Sequence, residues 1–281
     1  MRILHVSDLH IEPEPEERLP GLMSTLANDR EPLRRVGADL MIVSGDLTTY
    51  GSSRRDHLAQ AREWLDSLGI PYLAVPGNHD LGPSRIRGER NPHQEGFEDV
   101  EFKQTGYGRT FGPDPLVVRD LDRLRVVGVA LREDDLDGVL PRLTELIGAD
   151  TRPVILVGHY PLVPTREPKP HTDFGSETFV PRAGAVLLDL VRRSPNVVLY
   201  ACGHVHVNSA RPLAPHCLQV TAGSLGQGAS TYRVYDVDET GLGYSTVLGS
   251  GPLIFWNTFD PALAAEFSLG TGTERTGRIT F

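Results

Sequence analysis

Cysteine is nearly absent from this chain: two thiols, Cys202 and Cys217, in 281 residues. Two cysteines build no disulfide framework of the kind that holds small secreted domains together. Both lie in apolar runs, VVLYAC and HCLQVTA, where a buried structural thiol is expected. No apolar run reaches the length of about 20 residues that crosses a bilayer. The chain opens on Arg2-Ile3-Leu4-His5-Val6, which reads as a strand, with no basic segment and apolar core ahead of it. The expectation is a soluble, cytoplasmic protein with no membrane partner. Lysine is scarce as well, with Lys103 and Lys169 the only two among 28 basic residues. Positive charge is outnumbered by 37 acidic residues, giving a formal net charge of −9. That balance argues against a protein that coats nucleic acid with a basic surface. It does not argue against an enzyme that binds an anion in one local site.

What is present is an ordinary globular composition, 39% hydrophobic and 23% charged, which excludes wholesale disorder. A chain this long buries a large core, and domains often run to about 100–200 residues, so one large or two small domains are allowed. Short β-branched runs recur at Ile3–Val6, Leu40–Val43, Tyr72–Val75, Leu116–Val118, Leu124–Ala130, Val154–Val157 and Val197–Ala201, each bounded by Gly, Pro, Asp or Asn. Helical stripes fall between them: Leu58, Ala61, Leu65, Leu68; then Val139, Leu140, Leu143, Leu146, Ile147; then Ala183, Val186, Leu187, Leu190, Val191. Strands alternating with helices imply an α/β core with buried parallel strands. After about residue 215 the runs Cys217–Ala222, Thr231–Val237, Gly243–Leu248 and Leu253–Trp256 suggest an antiparallel section. Leu81–Gly108 and Leu162–Glu177 read as long loops, and the Gly/Thr-rich segment from about Pro261 reads as a tail.

Five polar patterns each follow directly on a predicted strand. They are Asp8-Leu9-His10, Gly45-Asp46-Leu47, Gly77-Asn78-His79-Asp80, Gly158-His159 and Gly203-His204-Val205-His206. Strand C-termini in α/β sheets are where ligands collect, because the loops there converge on one edge. Alone, each pattern has an ordinary explanation: a turn, an Asx loop or a satisfied structural histidine. Together they place more imidazole, carboxylate and amide groups at one edge than folding requires, since buried polar groups are costly without partners. Imidazole with carboxylate and amide oxygen suits first-row cations such as Mn, Fe, Zn or Co. The number of donors exceeds what one tetrahedral ion needs. It suits two ions about 3.5–4 Å apart that activate a bridging water as hydroxide and clamp a phosphoryl group. The glycines beside Asp46, Asn78, His159 and His204 are expected to let the backbone turn tightly.

The same set, in order and approximate spacing, resembles the calcineurin-like metallophosphoesterase superfamily over residues 3 to about 225. Within it the stretch Gly45-Asp46-Leu47-Thr48-Thr49-Tyr50-Gly51 is most similar to the class III cyclic-nucleotide phosphodiesterases. It lacks the Asp-Arg-Gly continuation of the protein serine/threonine phosphatases. The resemblance implies a two-sheet β-sandwich flanked by helices, a four-layer α/β/β/α fold, with a catalytic domain over residues 1–260 and a tail over 261–281. It implies two divalent metal ions (Mn, Fe or Zn), the first held by Asp8, His10 and His206, the second by Asn78, His159 and His204, with Asp46 between them. Under the same resemblance His79, together with Asn78, faces the substrate phosphate. His79 stabilises charge there and protonates the leaving oxygen, a general-acid task that imidazole commonly performs. Asp80 would orient His79 or a ligand. Homodimerisation is taken from the resemblance alone.

The implied activity is hydrolysis of a phosphodiester, a cyclic nucleotide or another small diester, by attack of the bridging hydroxide. The alternatives are a phosphomonoesterase or nucleotidase, a DNA nuclease, disfavoured by the acidic balance, and a binding module without turnover. Of the other histidines, His5 is expected in the sheet, His57 solvated on a helix, His216 structural, and His93 and His171 in the long loops. Arg85, Arg87 and Arg90 read either as a solvated loop or as a phosphate-steering rim.

Overall fold

A computed structural model describes residues 1–12, 21–81, 100–132, 135–149, 151–165, 181–226, 228–250 and 266–281, the first three residues of the 181–193 helix as backbone only. The strands are β1 (Arg2–Val6), β2 (Leu40–Ser44), β3 (Tyr72–Val75), β4 (Leu116–Asp120), β5 (Arg125–Val129), β6 (Val154–Val157), β7 (Val197–Cys202), β8 (Ser209–Ala214), β9 (Cys217–Thr221), β10 (Thr231–Val237), β11 (Gly241–Leu248) and β12 (Thr276–Thr280). They form two six-stranded sheets, ordered β12-β11-β10-β1-β2-β3 and β4-β5-β6-β7-β9-β8. β1, β2 and β3 are parallel, as are β5, β6, β7 and β9, and the remaining pairs are antiparallel.

The period of two along each strand decides which layer a side chain enters. Ile3, Leu40 and Ile42 point between the sheets, against Val126, Ile155, Val157 and Val220. Leu4, Val6, Met41 and Val43 point the other way, onto helices α1 (Leu22–Arg35) and α2 (Arg55–Ser67) through Leu22, Leu26, Leu33, Leu58, Ala61, Trp64 and Leu65. The outer face of the second sheet packs on α5 (Val139–Gly148) and α6 (Pro181–Arg193) through Val139, Leu143, Ile147, Leu187, Leu190 and Val191. Helix, sheet, sheet and helix thus make four layers. Because both faces of the central strands are buried, these strands read as continuous apolar runs.

Several expectations are corrected. α1 carries no predicted stripe: Pro32 lies inside it, and its buried face mixes Leu22, Leu26 and Leu33 with the polar Thr25 and Asp29. β8 holds Arg211 and Pro212, which disguise it as a loop. Proline is tolerated there because β8 is the last strand of its sheet. Val186 is half exposed, so the buried face of α6 is narrower than its apolar stripe. His57 is 2% exposed rather than solvated, its ring edge-on to Tyr50 on the inward face of α2. Within the segment read as a loop up to Gly108, Phe102–Gln104 forms a 3-10 turn and Gly106–Phe111 a short helix, α4. The expected strand Leu253–Trp256, Ala183 of the third stripe and most of the second loop lie outside the described residues or side chains.

The end of the chain also departs from the tail-like composition. A short helical turn, α7 (Gly272–Arg275), leads into β12, which pairs antiparallel with β11 from Ser245↔Thr276 to Gly241↔Thr280. The fully buried Arg233 secures it. Its guanidinium donates to the carbonyls of Thr221, Ser209 and Glu274 and to Thr246 Oγ1, at 2.7–3.1 Å. One side chain thereby ties strands of both sheets to the last turn of the chain.

Candidate metal centre

The C-terminal ends of β1, β2, β3, β6 and β7 meet at one edge of the sandwich, and each delivers a loop. Backbone hydrogen bonds lace the first two loops together, from Asp8 N to Gly45 O (2.9 Å) and from His10 N to Asp46 O (3.0 Å). Two clusters of side chains converge there: Asp8 with His10 and His206, and Asp46 with His159 and His204. In each, the ligand-type atoms lie within 4.8 Å of one another. His206 Nε2 is 3.3 Å from Asp8 Oδ1, and His10 Nε2 is 3.1 Å from His206 Nε2. In the second cluster His159 Nε2 is 3.1 Å from His204 Nδ1, 3.1 Å from Asn78 Oδ1 and 3.3 Å from Asp46 Oδ2. Asp46 Oδ2 is also 4.0 Å from His10 Nε2, so this carboxylate sits between the two clusters. All seven residues expected as ligands are therefore brought together.

The donor set fits divalent cations. Nitrogen and oxygen lone pairs converge in a buried place, and two imidazole pairs face each other nitrogen to nitrogen at 3.1 Å. Such a pair needs a proton between its nitrogens or a shared cation in front of them, and borderline first-row ions take this N/O set. The electrostatics agree. Burial tends to raise the Asp46 carboxyl, but His159, His79 and His10 outweigh it and hold it well below the usual carboxylate range. Burial tends to lower His159, yet Asp46, its hydrogen bond, Asp8 and the Ser44 carbonyl push it up to about 9. A field that favours a proton on His159 also favours a metal cation.

The backbone is strained at the same place. Asp8 (φ 52°), His10 (50°), Asp46 (48°), His204 (72°) and His206 (53°) are five of the seven non-glycine residues with positive φ among the described residues. This left-handed conformation costs roughly 1–2 kcal/mol per residue for an ordinary side chain. Asp, Asn and His tolerate it better than most, and such strain concentrates at functional sites. The flanking glycines, by contrast, supply space more than turning freedom. Of Gly45, Gly77, Gly158 and Gly203 only Gly45 has positive φ (97°). A Cβ at Gly77 would strike the Asp46 carboxylate and amide, and one at Gly203 would strike Ser7 Oγ and Asp8 Oδ2. Gly77→Ala is expected to lose about 1–3 kcal/mol by overpacking, together with metal affinity, read by urea unfolding and Mn²⁺ calorimetry. Gly148→Ala, where a Cβ meets open space, is the neutral control. Equal behaviour of the two variants would refute the close-approach role.

His79 belongs to neither cluster. It sits in the turn α3 (Asn78–Leu81), with its backbone N–H donating to Asp46 Oδ1 (2.9 Å) and its Nδ1–H to Thr49 O (2.9 Å). Its ring stands edge-on to His10, centroids 4.8 Å apart. Asp80 does not orient that ring. Its carboxylate accepts from Gly77 N (2.9 Å), Leu47 N (3.1 Å), Thr48 N (3.1 Å) and Thr48 Oγ1 (2.8 Å), strapping the Asp46 loop to the Asn78 loop. Burial and the Asp46 charge push Asp80 up to about 7, against the pull of these donors. His216 donates from Nε2 to Val191 O (3.2 Å), a structural contact. Both cysteines are buried and unpaired, and burial pushes each thiol up to about 12. Arg85, Arg87, Arg90, His93 and His171 lie outside the described residues. The Asp80 strap and the left-handed ligand conformations carry no signal in residue spacing; the Asp, Asn and His residues in the loops after these strands are their nearest trace.

The family model for calcineurin-like phosphoesterases matches residues 1–208. The chain belongs to this family. A probable cyclic nucleotide phosphodiesterase of Synechococcus sp. is 27% identical over 210 residues, 73% of either chain. The glycerophosphodiester phosphodiesterase GpdQ of Enterobacter lignolyticus is 26% identical over 222 residues, 73% of this chain and 71% of its own. A dimetal phosphatase of Danio rerio shares the fold, with a TM-score of 0.56 at 14% identity over 89% of this chain and 96% of its own. As a calcineurin-like phosphoesterase, the protein is a metal-dependent phosphoester hydrolase, and its family uses a dinuclear divalent centre. Among the described residues no helix is long and apolar enough to cross a membrane.

Proposed function

We propose that this phosphoesterase hydrolyses a small phosphodiester, a cyclic nucleotide or a diester of similar size. Asp8, His10 and His206 would hold one divalent ion, Asn78, His159 and His204 the other, with Asp46 shared. The observation that carries this assignment is the place of Asp46 Oδ2, within 3.3 Å of one cluster and 4.0 Å of the other. When bound, a pair of Mn, Fe or Zn ions supplies Lewis acidity and a water of lowered pKa. The protein's own part is positional. The laced β1 and β2 loops fix the separation of the clusters, and the Thr49 carbonyl accepts Nδ1–H of His79 and fixes that ring beside them. His79 then stabilises phosphate charge and gives its proton to the departing oxygen. The phosphodiester reading is supported by two relatives named as phosphodiesterases. The buried, unpaired thiols agree with a reducing, cytoplasmic setting.

The test is a panel of cyclic nucleotides, bis-p-nitrophenyl phosphate and p-nitrophenyl phosphate, with Mn²⁺, Fe²⁺ or Zn²⁺ added. Diesters are expected to give the higher kcat/KM. A higher value for the monoester would replace this reading with a phosphomonoesterase, and no turnover with any metal would remove it.

A further inference from the structure

A chain of buried polar groups crosses the first sheet and ends on His159. Tyr235 on β10, His5 on β1, Ser44 on β2 and Ser7 after β1 are all fully buried. Tyr235 Oη lies 2.8 Å from His5 Nδ1, and His5 Nε2 lies 2.8 Å from Ser44 Oγ. Ser44 Oγ–H donates to Ser7 Oγ (2.7 Å), and Ser7 Oγ–H donates to Ser44 O (3.4 Å). The same Ser44 carbonyl accepts Nδ1–H of His159 at 2.7 Å.

Counting donors fixes every direction. A hydroxyl has one proton to give. Ser44 Oγ spends its proton on Ser7, so toward His5 it accepts, and His5 carries its proton on Nε2. His5 Nδ1 is then an acceptor, and Tyr235 donates to it. The chain runs one way, from Tyr235 through His5 and the two serines to the Ser44 carbonyl. It requires a neutral His5, and burial together with the nearby Arg233 charge lowers His5 to about 3. An apolar side chain at position 5 would fill the sheet equally well, so packing alone does not account for this arrangement.

We propose that His5 is a positioning residue for the metal ligand His159, acting through Ser44. His5 holds the Ser44 side chain. That side chain orders Ser7, and together they fix the carbonyl that takes the His159 Nδ1 proton. With Nδ1 committed, Nε2 is the His159 nitrogen that faces Asn78, Asp46 and His204. Partners of this kind commonly alter metal affinity by about 10–100-fold when removed. The inference rests on the metal-centre reading above.

Three variants test it by Mn²⁺ calorimetry at one pH, alongside unfolding of the metal-free proteins. His5→Leu keeps the volume and breaks the chain, and weaker binding at one of the two sites, by about 10-fold or more, is expected. His5→Gln places an amide N–H toward Ser44 and an amide oxygen toward Tyr235, and recovery to near wild-type affinity is expected. Ser44→Ala keeps the carbonyl, removes its hydroxyl anchor and is expected to resemble His5→Leu; it also serves if His5→Leu does not fold. Wild-type affinity in His5→Leu or Ser44→Ala, with a change only in unfolding, would reduce the chain to a structural network and overturn the proposal. Failure of His5→Gln to recover affinity would do the same. Wild-type protein that binds no Mn²⁺ would instead overturn the metal-centre reading itself, and with it this one.

Discussion

Asp46→Ala is expected to lose bound metal and activity together. The carboxylate has three tasks at once. Its Oδ2 lies between His159 and His10, its Oδ1 accepts the His79 backbone N–H, and its charge holds His159 up at about 9. Removing it leaves Asp8 as the one carboxylate in the two clusters of described residues, against four imidazoles. Alanine also inherits a φ of 48°, at a cost of roughly 1–2 kcal/mol. Metal content by elemental analysis is expected to fall from two equivalents to one or none, and kcat/KM on bis-p-nitrophenyl phosphate by about 10³-fold or more, the scale of losing a preorganised charge-stabilising group. Asp46→Asn separates the parts. It tolerates the left-handed backbone and keeps an acceptor for His79, so it should fold better than Asp46→Ala while still binding metal weakly. Two tightly bound equivalents with native turnover in Asp46→Ala would show that the carboxylate is not shared.

The edge where these loops meet was readable from residue order because the chemistry needs particular residue types directly after strands. Ile3–Val6, Leu40–Val43 and Val154–Val157 announce themselves as doubly buried strands, and Asp8, Asp46 and His159 follow within a few residues. What residue order hides is what other segments decide. α1 looks polar because only one stripe meets the sheet, and β12 looks like a tail because its four exposed residues leave Ile279 as the buried one. His5 is buried in the sheet as expected, but its partner Tyr235, like the partners of the fully buried Arg233, comes from strands far along the chain that spacing does not reveal. Asp80 reads as a companion of His79, but its place in a tight turn directs its oxygens back to the amides of Gly77, Leu47 and Thr48. Ligand identity is local in sequence. Ligand orientation is set by long-range hydrogen bonds that spacing does not encode.

His79→Ala is expected to leave metal content near two equivalents while lowering turnover according to the leaving group. The ring lies outside both clusters, and its held Nδ1 and its contact with His10 keep it beside them. A group placed there acts on charge and on the proton of the departing oxygen. An alkoxide leaves poorly without that proton, so alkyl diesters and cyclic nucleotides should lose about 10²–10⁴-fold in kcat, the range of general acid catalysis. p-Nitrophenolate is stable without a proton, so bis-p-nitrophenyl phosphate should lose far less. The slope of log kcat against leaving-group pKa should therefore steepen in the variant. An equal loss across the series would assign His79 to phosphate charge alone. Loss of one metal equivalent would make it a ligand, against its position beside the clusters. His79→Gln sharpens the distinction, because an amide N–H can still donate to a phosphate oxygen but cannot transfer a proton. It should recover binding of substrate, seen in KM, while the leaving-group slope stays steep.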